Sequence, residues 1–333
     1  MKIRVGTFNL FQFVEPPYSW YTKKEKFNIE QWEEKTTWIK NQIIEMNCDI
    51  IGFQEVFSKK ALKTLLNDLG FKYFKTIDGP KVDKKNDKVY TSTVVALASK
   101  YPIRNLKRVE IDFSALKKHY LNDFFKFSRE PIKASITLPN QKELDIYVCH
   151  LKSNRDNEFE YVFTKNSTLD EKKEKVKKSL EENYSQSLKQ RLCEASSIFS
   201  DIKLTSNPVI LMTDLNDKEF SITIEALTNK KYHDENLAQD DYLLLDAYNY
   251  YEKEIYNPHP EQKEIKRTPT SYFAGKGNVL DYIFVSNLFD KNKRNSLGKI
   301  SSYEVFDKHL QKNHNGSLLS SDHAQVVCEL EFN

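Results

Sequence analysis

The sequence predicts an α/β protein in which two mixed, mainly antiparallel β-sheets pack face to face with helices on the outside. Strand patterns are numerous along the 333 residues, many of them alternate apolar and polar residues, and only a few helical patterns interrupt them. A doubly wound parallel sheet would need a helix after nearly every strand. Because no low-complexity linker divides the chain and no short repeat is present, we expect one domain over residues 1–333.

Each strand is predicted from apolar alternation or from a short run rich in β-branched and aromatic residues. The predicted strands are 2–11, 49–56, 71–78, 89–99, 129–138, 143–151, 208–215, 278–286, 300–307 and 321–332. Helical spacing of apolar residues predicts helices over 27–46, 58–70 and 217–229. Ser58 is the expected N-cap and Gly70 the stop of the second helix, and prolines predict a loop over 255–273.

Residues 155–203 differ from the rest of the chain, because Lys, Glu and Ser dominate them with mixed signs. They contain no proline and predict a charged helical insert with a solvated face. Its apolar stripe consists of Val176, Leu180, Tyr184, Leu188 and Leu192.

Composition excludes several classes of function. With 8 Gly the chain has neither GxGxxG nor GxxxxGKS, so phosphate loops of those types are absent. The four cysteines form no CxxC pair, which excludes a zinc finger, and we expect them to be buried free thiols. No apolar run is long enough to span a membrane. The first residues begin a strand and not a leader, so we predict a cytoplasmic protein, with export after leader removal or by a leaderless route left open.

Charge is unevenly distributed. Residues 59–133 hold 18 Lys or Arg against 8 Asp or Glu, whereas the whole chain has a net charge of +3. Interleaved with Tyr and Phe, such a segment suits a nucleic-acid strand, and it would equally suit an anionic membrane surface carrying a lipid substrate. A solvated lysine surface without a partner is the simpler alternative.

Six predicted strands carry polar side chains at or near an end. These are Asn9, Glu55, His150, Asp214 with Asn216, Asp281, and Asp322 with His323. Turn chemistry is one explanation, because Asp and Asn side chains bond their own backbone in loops. It does not explain Asp281, which lies within the apolar run VLDYIFVS, since a buried carboxylate needs a partner. The candidate partners for the Asp281 carboxylate are His323, a metal ion or a lysine.

If these carboxylates lie together at one edge of the two packed sheets, their mutual repulsion makes the arrangement unstable without a cation. The oxygen donors of Glu55, Asp322, Asn9 and Asp214 favour Mg²⁺, with Mn²⁺ as a substitute. Zinc is disfavoured because the chain has no HExxH and no closely spaced pair of ligands.

In chain order, GTFNL, DIIGFQEV, VCHLKS, MTDLN, LDYIFVS and SDHAQV resemble the motifs of the endonuclease/exonuclease/phosphatase superfamily. This superfamily includes DNase I-like nucleases, inositol polyphosphate 5-phosphatases and neutral sphingomyelinases. The resemblance spans nearly the whole chain and implies the DNase I-like four-layer sandwich. It also implies that Glu55 is the principal Mg²⁺ ligand, with Asn9 beside it and Asp322 completing or adjoining the metal shell.

The resemblance implies that Asp214 orients or deprotonates the attacking water and that Asn216 holds the phosphoryl oxygens. It further implies that His150 donates to a phosphate oxygen. His323, oriented by Asp281, would contact the phosphate and help to activate the nucleophile.

Two positions indicate the branch of the superfamily. Abasic-site nucleases commonly have an acid where this chain has Phe11 and a tyrosine where it has His150. HLKS, a variable insert and QRLCEA resemble bacterial nuclease-like members. We therefore expect a Mg²⁺-dependent phosphodiester hydrolase, foremost a DNA or RNA nuclease. A phosphoinositide or inositol phosphate phosphatase, or a sphingomyelinase-like phospholipase C, is the alternative, and a non-catalytic binding protein of the same fold is the distant one.

Three further side chains are candidates for substrate binding: Lys152, Asn154 and Arg191. Lys152 and Arg191 each have a simple alternative as a solvated polar residue. We expect an anionic phosphoester as the partner, with nucleic acid favoured over a membrane lipid, and a monomeric protein.

Overall fold

The structure is a computed structural model that describes residues 1–121, 125–154, 161–235, 240–253, 266–312 and 316–333. The strands are β1 (Lys2–Phe13), β2 (Ser19–Trp20), β3 (Ile50–Val56), β4 (Tyr73–Lys75), β5 (Val82–Asp83), β6 (Asn86–Tyr90), β7 (Val94–Ser99), β8 (Ile103–Arg108), β9 (Ile132–Thr137), β10 (Glu143–His150), β11 (Val209–Asp214), β12 (Leu244–Asp246), β13 (Ser271–Phe273), β14 (Lys276–Asn278), β15 (Asp281–Ser286), β16 (Gly298–Phe306) and β17 (Gln325–Phe332). The helices are α1 (Ile29–Met46), α2 (Lys59–Asp68), α3 (Phe113–Lys118), α4 (Leu169–Glu181), α5 (Gln186–Ile202), α6 (Ile222–Thr228), α7 (Ala247–Tyr250) and α8 (Lys308–Lys312).

Two six-stranded sheets form the centre of the molecule. Sheet one has the order β16-β17-β1-β3-β7-β4, and sheet two has the order β12-β15-β11-β10-β9-β8. Each contains one parallel pair, β1 with β3 and β10 with β11, and is otherwise antiparallel. The prediction of two mixed, mainly antiparallel sheets is therefore confirmed.

The sheets pack face to face, and helices cover their outer faces. Apolar side chains such as Val5 and Ile50 of sheet one pack with Val148 and Ile210 of sheet two. Helices α1 and α2 cover the outer face of sheet one, whereas α4, α5 and α6 cover sheet two. This is the expected four-layer sandwich, and the clusters of buried apolar side chains between its layers supply much of the hydrophobic driving force for folding.

Gly52 marks a close approach between the sheets. A Cβ atom at this position would lie 3.0 Å from both Met212 Cβ and Val148 Cγ1. Since β3 carries Glu55 three residues later, the missing side chain lets the end of this strand lie near the ends of β10 and β11.

Several predicted boundaries were wrong, for local reasons. Ser58 precedes α2, but its side chain does not cap the helix; its hydroxyl instead accepts a hydrogen bond from the Glu15 backbone N–H at 2.8 Å. Gly70 ends the helix region as predicted, with a left-handed φ of 86°. The predicted strand 71–78 is only β4, and 89–99 divides into parts of β6 and β7. Strand β8 and helix α3 were not predicted at all.

The predicted charged insert is two helices, α4 and α5, separated near Asn183, which has a φ of 63°. Tyr184 lies in this break and is 62% exposed, so its place in the apolar stripe was wrong. The other four stripe residues are buried. The prediction of a solvated face fails for α5, because this helix packs against α3, α4 and α6 as well as sheet two, and buries charged residues. Residues 155–160 lie outside the described residues, as do 254–265 of the predicted loop.

All four cysteines are buried and free, as expected. Within the described residues, no helix has the length and apolar character required to cross a membrane.

Candidate active site

Strand register brings three of the predicted catalytic side chains together. His150 and Asp214 are partner positions on the parallel strands β10 and β11, and Asp214 and Asp281 are partners on β11 and β15. Asn9 of the facing sheet donates its Nδ2 to Asp214 Oδ2 at 2.9 Å. The Asp214 carboxylate therefore joins the two sheets at their polar edge.

Asp214 is nearly inaccessible to water. Its Oδ2 also lies 3.3 Å from His150 Nε2, and its Oδ1 accepts the backbone N–H of Asn216 at 2.9 Å. Burial raises the pKa of Asp214 to about 7, although the nearby charge of His323 acts in the opposite direction. A carboxylate with a pKa near neutrality is suited to general-base chemistry at neutral pH.

His323 is held by Asp281 through a hydrogen bond of 2.8 Å between Nδ1 and Oδ2. Its Nε2 lies 4.0 Å from Asp214 Oδ2 and 4.0 Å from Asp322 Oδ1. Burial alone would lower the pKa of His323, but the three carboxylates outweigh it and raise that pKa well above the usual value. In the protonated ring, the Nδ1 proton would face Asp281 and the Nε2 proton would face the other two carboxylates.

His150 is the opposite case. Burial lowers the pKa of His150 well below its usual value, and the charges of Arg129, His323 and Lys152 lower it further. A neutral imidazole has one N–H. If that proton is on Nε2, the ring can donate it to Asp214 or to another acceptor, but not to both. The surroundings of the two histidines thus shift their pKa values in opposite directions.

Backbone irregularity accompanies the site on both sheets. Register shifts occur in β1 between Asn9 and Phe13 and in β3 between Phe53 and Val56. Glu55 has a φ of 59° and Asn216 a φ of 52°, conformations that are sparsely populated by residues with a side chain. Strand bulges of this kind redirect side chains and are common beside functional sites.

Glu55 and Asp322 fit a hard divalent cation. Glu55 Oε2 accepts the backbone N–H of Gln12 at 3.0 Å. Asp322 Oδ1 is buried, yet it has no hydrogen-bond partner in the described part of the chain. Burial raises the pKa of Asp322 to about 6, and the nearby negative charge of Glu55 contributes. An unpartnered carboxylate oxygen beside a second carboxylate is the arrangement that Mg²⁺ or Mn²⁺ stabilises.

Other predicted metal ligands are less available. Asn9 uses its Nδ2 for Asp214, and its Oδ1 accepts the backbone N–H of Phe11 at 3.0 Å; ligation by Asn9 stays a prediction. Donor atoms of Asp214, Asp281 and His323 lie within 4.8 Å of one another. Two of these three residues already bond each other, whereas Asp322 Oδ1 has no hydrogen-bond partner among the described residues.

The three candidate substrate-binding residues separate. Lys152 lines a groove beside His150. Asn154 and Arg191 line a separate small cavity, together with Asn216. Arg191 is buried, donates Nη1 to the Lys152 carbonyl at 3.1 Å and has Nε 3.5 Å from Asp217 Oδ2. Arg191 thus supports the loop after His150, and its contact with substrate stays a prediction.

Three supporting residues were missed from the sequence. Arg129 Nη1 donates to the Leu151 carbonyl at 3.1 Å, directly after His150, and Asn216 Nδ2 donates to the same oxygen. Buried Glu194 accepts the backbone N–H groups of Ser128 and Lys152, each at 2.7 Å. No spacing pattern indicates these contacts, which depend on the folded backbone.

Lys35 is the third missed residue. It is fully buried on α1, and its Nζ donates to the carbonyls of Leu318 at 2.7 Å and Ser320 at 2.9 Å. Burial lowers the pKa of Lys35 to about 7, against the opposing effect of Glu55 and Asp322. Lys35 therefore fixes the segment that leads into Asp322.

A family model for the endonuclease/exonuclease/phosphatase family matches residues 6–323. The chain belongs to this family. Endonucleases, exonucleases and phosphatases hydrolyse phosphate esters, so the residues gathered at the sheet edges lie in a fold used for that chemistry. No curated protein sequence matches the chain significantly.

Solved structures of the endonuclease/exonuclease/phosphatase fold resemble the chain over its whole length. The human Nocturnin catalytic domain with a bound sulfate anion is 16% identical, with a TM-score of 0.58 and coverage of 100% of this chain and 94% of that one. A family protein from Bacteroides thetaiotaomicron is 16% identical, with a TM-score of 0.55 and coverage of 100% and 98%. D. rerio TDP2 complexed with a single-strand DNA product is 12% identical, with a TM-score of 0.56 and coverage of 99% and 99%. At these identities the likeness shows the fold alone.

Proposed function

We propose that the protein is a divalent-metal-dependent phosphodiesterase, with Mg²⁺ as the first candidate ion and Mn²⁺ as the second, and that its substrate is nucleic acid. The observation that carries the proposal is the buried Asp214 carboxylate, which touches Asn9 and His150 and lies 4.0 Å from His323. A raised-pKa carboxylate beside an imidazolium is a base–acid pair for the attack of water on a phosphate ester.

In this mechanism the chain's own residues position the reactants. Asp214, fixed by Asn9, orients the attacking water and accepts its proton. His323 donates Nε2–H to a phosphoryl oxygen, where negative charge grows as the bond forms, and Asp281 holds its ring and its second proton. Asn216 and the neutral His150 supply further N–H donors to the same phosphate.

A divalent cation held by Glu55 and Asp322 would supply positive charge to the phosphoryl and leaving oxygens. The fit of these two residues supports this assignment: two mutually repelling carboxylates, one with a buried oxygen that lacks a hydrogen-bond partner among the described residues. Glu55 is held in place by the Gln12 backbone N–H, which fixes one donor before the ion arrives.

Nucleic acid is favoured by charge and by one structural neighbour. The region 59–133, with its excess of ten positive charges, supplies Arg129 beside His150. D. rerio TDP2, which has a related fold, was solved with a single-strand DNA product. Electrostatic attraction to phosphates accounts for much of the affinity of proteins for nucleic acid.

A panel of substrates tests the proposal. Wild-type protein with Mg²⁺ is incubated with single-stranded DNA, RNA, plasmid DNA, a phosphoinositide set and sphingomyelin. We expect phosphodiester cleavage in at least one nucleic acid and no lipid turnover, and Asp214→Asn serves as the inactive control. Turnover of the lipids alone would refute the nucleic-acid assignment.

A further inference from the structure

Thr270 lies immediately before β13, and its side chain bonds the start of the strand that carries Asp281. It is 0% exposed. Its hydroxyl oxygen accepts the backbone N–H groups of Leu280 at 2.9 Å and Asp281 at 3.1 Å. No sequence motif indicates these contacts, because they join a side chain in one loop to backbone groups at the entry of β15.

The direction of the peptide bond between Leu280 and Asp281 explains why Asp281 needs this acceptor. The carbonyl oxygen of Leu280 accepts the N–H of Leu215, directly after β11. In a trans peptide the carbonyl and the N–H point in opposite directions, so the N–H of Asp281 points away from β11. On that side, β12 pairs with β15 only as far as Phe284. The Thr270 hydroxyl therefore takes the place of a neighbouring strand.

The backbone of the same segment bonds the other sheet. The carbonyl oxygen of Thr270 accepts the N–H of Ala324 at 2.7 Å, and Ser271 forms an isolated β-bridge with His323. Asp281 begins β15 of sheet two, whereas His323 lies just before β17 of sheet one. The segment thus contacts both partners of the 2.8 Å hydrogen bond between His323 Nδ1 and Asp281 Oδ2, which crosses from one sheet to the other.

Asp281 has fewer restraints than its partner. Its Oδ2 bonds His323, and its Oδ1 is buried without a hydrogen-bond partner among the described residues. The backbone of His323 is held on both sides, because its N–H donates to Ser321 Oγ at 3.0 Å and its carbonyl accepts Gln325 Nε2 at 3.2 Å. The place of the Asp281 carboxylate therefore depends on its own backbone, and that backbone depends on the Thr270 hydroxyl.

We propose that Thr270 is a positioning residue for the proposed hydrolysis. Its hydroxyl sets the place of the Asp281 carboxylate against His323, and with it the direction in which the His323 ring faces the phosphate. This inference rests on the proposed function and adds a residue that acts on it through Asp281. Because Thr270 affects the geometry of the reacting groups, it controls the rate of turnover and not the binding of substrate or cation. A misplacement of about 1 Å costs on the order of a hundredfold in rate.

Stabilisation of the sheet edge is the other role that a buried hydroxyl can have. A hydroxyl with that role alone contributes to stability and leaves the kinetics of the folded protein unchanged, whereas a positioning hydroxyl affects kcat in protein that is folded. Ser286 supplies the comparison. It is buried at the opposite end of β15, and its Oγ accepts the backbone N–H of Val209 at 3.2 Å.

Two variants of Thr270 separate its hydroxyl from its shape. Thr270→Val keeps the branched side chain and loses the hydroxyl, whereas Thr270→Ser keeps the hydroxyl and loses the methyl group. Ser286→Ala is the matched control. Each protein is assayed with Mg²⁺ on a p-nitrophenyl phosphodiester, and urea unfolding reports its stability. Thr270→Val is also combined with Asp281→Ala, which leaves no carboxylate to position.

We expect Thr270→Val to lower kcat by about ten- to a hundredfold, with KM and the Mg²⁺ concentration for half-maximal rate within about twofold of wild type. Thr270→Ser should keep kcat within about threefold of wild type. Ser286→Ala should be less stable than wild type and keep its kcat. In the Asp281→Ala background, Thr270→Val should change kcat by less than about twofold, because residues that act as one unit have non-additive effects.

A proton spectrum tests the geometry without turnover. A proton shared between an imidazole nitrogen and a buried carboxylate in a short hydrogen bond resonates far downfield. Wild-type protein and Thr270→Ser should show this signal for the pair His323 and Asp281, and Asp281→Ala should lack it. Thr270→Val should shift or lose it.

Several results would overturn the assignment. They are a wild-type kcat in Thr270→Val, a loss that Thr270→Ser shares, an equal loss in Ser286→Ala, and a full further loss in the Asp281→Ala background. If Thr270→Val does not fold, Thr270→Cys replaces it, since a thiol is a weak acceptor, and a wild-type kcat in that variant has the same meaning. If wild-type protein cleaves no phosphodiester with Mg²⁺, the proposed function fails. An unchanged downfield signal in Thr270→Val refutes the positioning role alone.

Discussion

Replacing Asp281 by Asn tests whether this carboxylate keeps His323 protonated. The Nδ1–Oδ2 distance is 2.8 Å, and the side chains of Asp281 and His323 are only 1% and 9% exposed. A hydrogen bond to a charged group contributes about 1.5–3 kcal/mol, and one pKa unit corresponds to about 1.4 kcal/mol. The pKa of His323 should therefore fall by about one to two units in Asp281→Asn.

The sign of the effect on activity follows from the proposed role. If the imidazolium donates to the phosphate, activity is present below the pKa of His323 and is lost as pH rises through it. Asp281→Asn should therefore move the alkaline limb of the kcat/KM profile about one to two units toward lower pH. At pH 8 the variant should have lost more activity than at pH 6.

The assay is hydrolysis of a p-nitrophenyl phosphodiester between pH 5.5 and 9.5 at saturating Mg²⁺. Asp145→Asn is a matched control, because Asp145 is another buried carboxylate of sheet two that accepts hydrogen bonds, from Ser135 at 2.8 Å and Asn207 at 3.2 Å. It lies at the end of β10 remote from His150. Coincident alkaline limbs in Asp281→Asn and wild type would refute the reasoning.

Three further predictions concern the residues that support the site. Glu194→Gln keeps one acceptor oxygen but loses the second, so kcat/KM on a phosphodiester should fall about tenfold. Glu182 is exposed, and Glu182→Gln should leave kcat/KM unchanged. Equal kcat/KM values in the two variants would contradict the supporting role of Glu194. Lys35→Met leaves the carbonyls of Leu318 and Ser320 without their donor, so the free energy of unfolding, measured in urea, should fall by about 2–4 kcal/mol. The affinity for Mn²⁺, measured by calorimetry, should also fall. An unchanged Mn²⁺ affinity would separate Lys35 from the cation site. Mg²⁺ should raise the Tm of wild-type protein, and Glu55→Gln should abolish that rise, because an ion stabilises only the state that binds it; an identical rise in Glu55→Gln would place the ion elsewhere.

Sequence patterns were sufficient for the layers of the fold, because burial of one sheet face imposes alternation and strand ends need polar groups. They failed where a tertiary contact replaced a local one. Ser58 has the chemistry of an N-cap, yet its hydroxyl accepts a hydrogen bond from the Glu15 backbone N–H instead. The break between α4 and α5 contains no proline or glycine from which it could be predicted, and Asn183 adopts the left-handed conformation there.

The candidate site shows the same division. Asn9, Glu55, His150, Asp214 and His323 could be selected because each ends or interrupts an apolar run in a recognisable motif. Arg129, Glu194 and Lys35 could not, since their partners are backbone groups 22 to 285 residues away in the sequence. The opposite pKa shifts of the two histidines could not be predicted either, because they depend on how many carboxylates face each buried ring.

The most direct test of the central claim is the rate of phosphodiester hydrolysis measured with Mg²⁺, after chelation, and after Mg²⁺ is restored, in wild-type protein and in Asp214→Asn. We predict that wild-type turnover stops on chelation and returns with Mg²⁺, and that Asp214→Asn loses at least about a hundredfold in kcat. Turnover that survives chelation, or an Asp214→Asn variant with the wild-type rate, would contradict the assignment of this site as a metal-dependent phosphodiesterase centre.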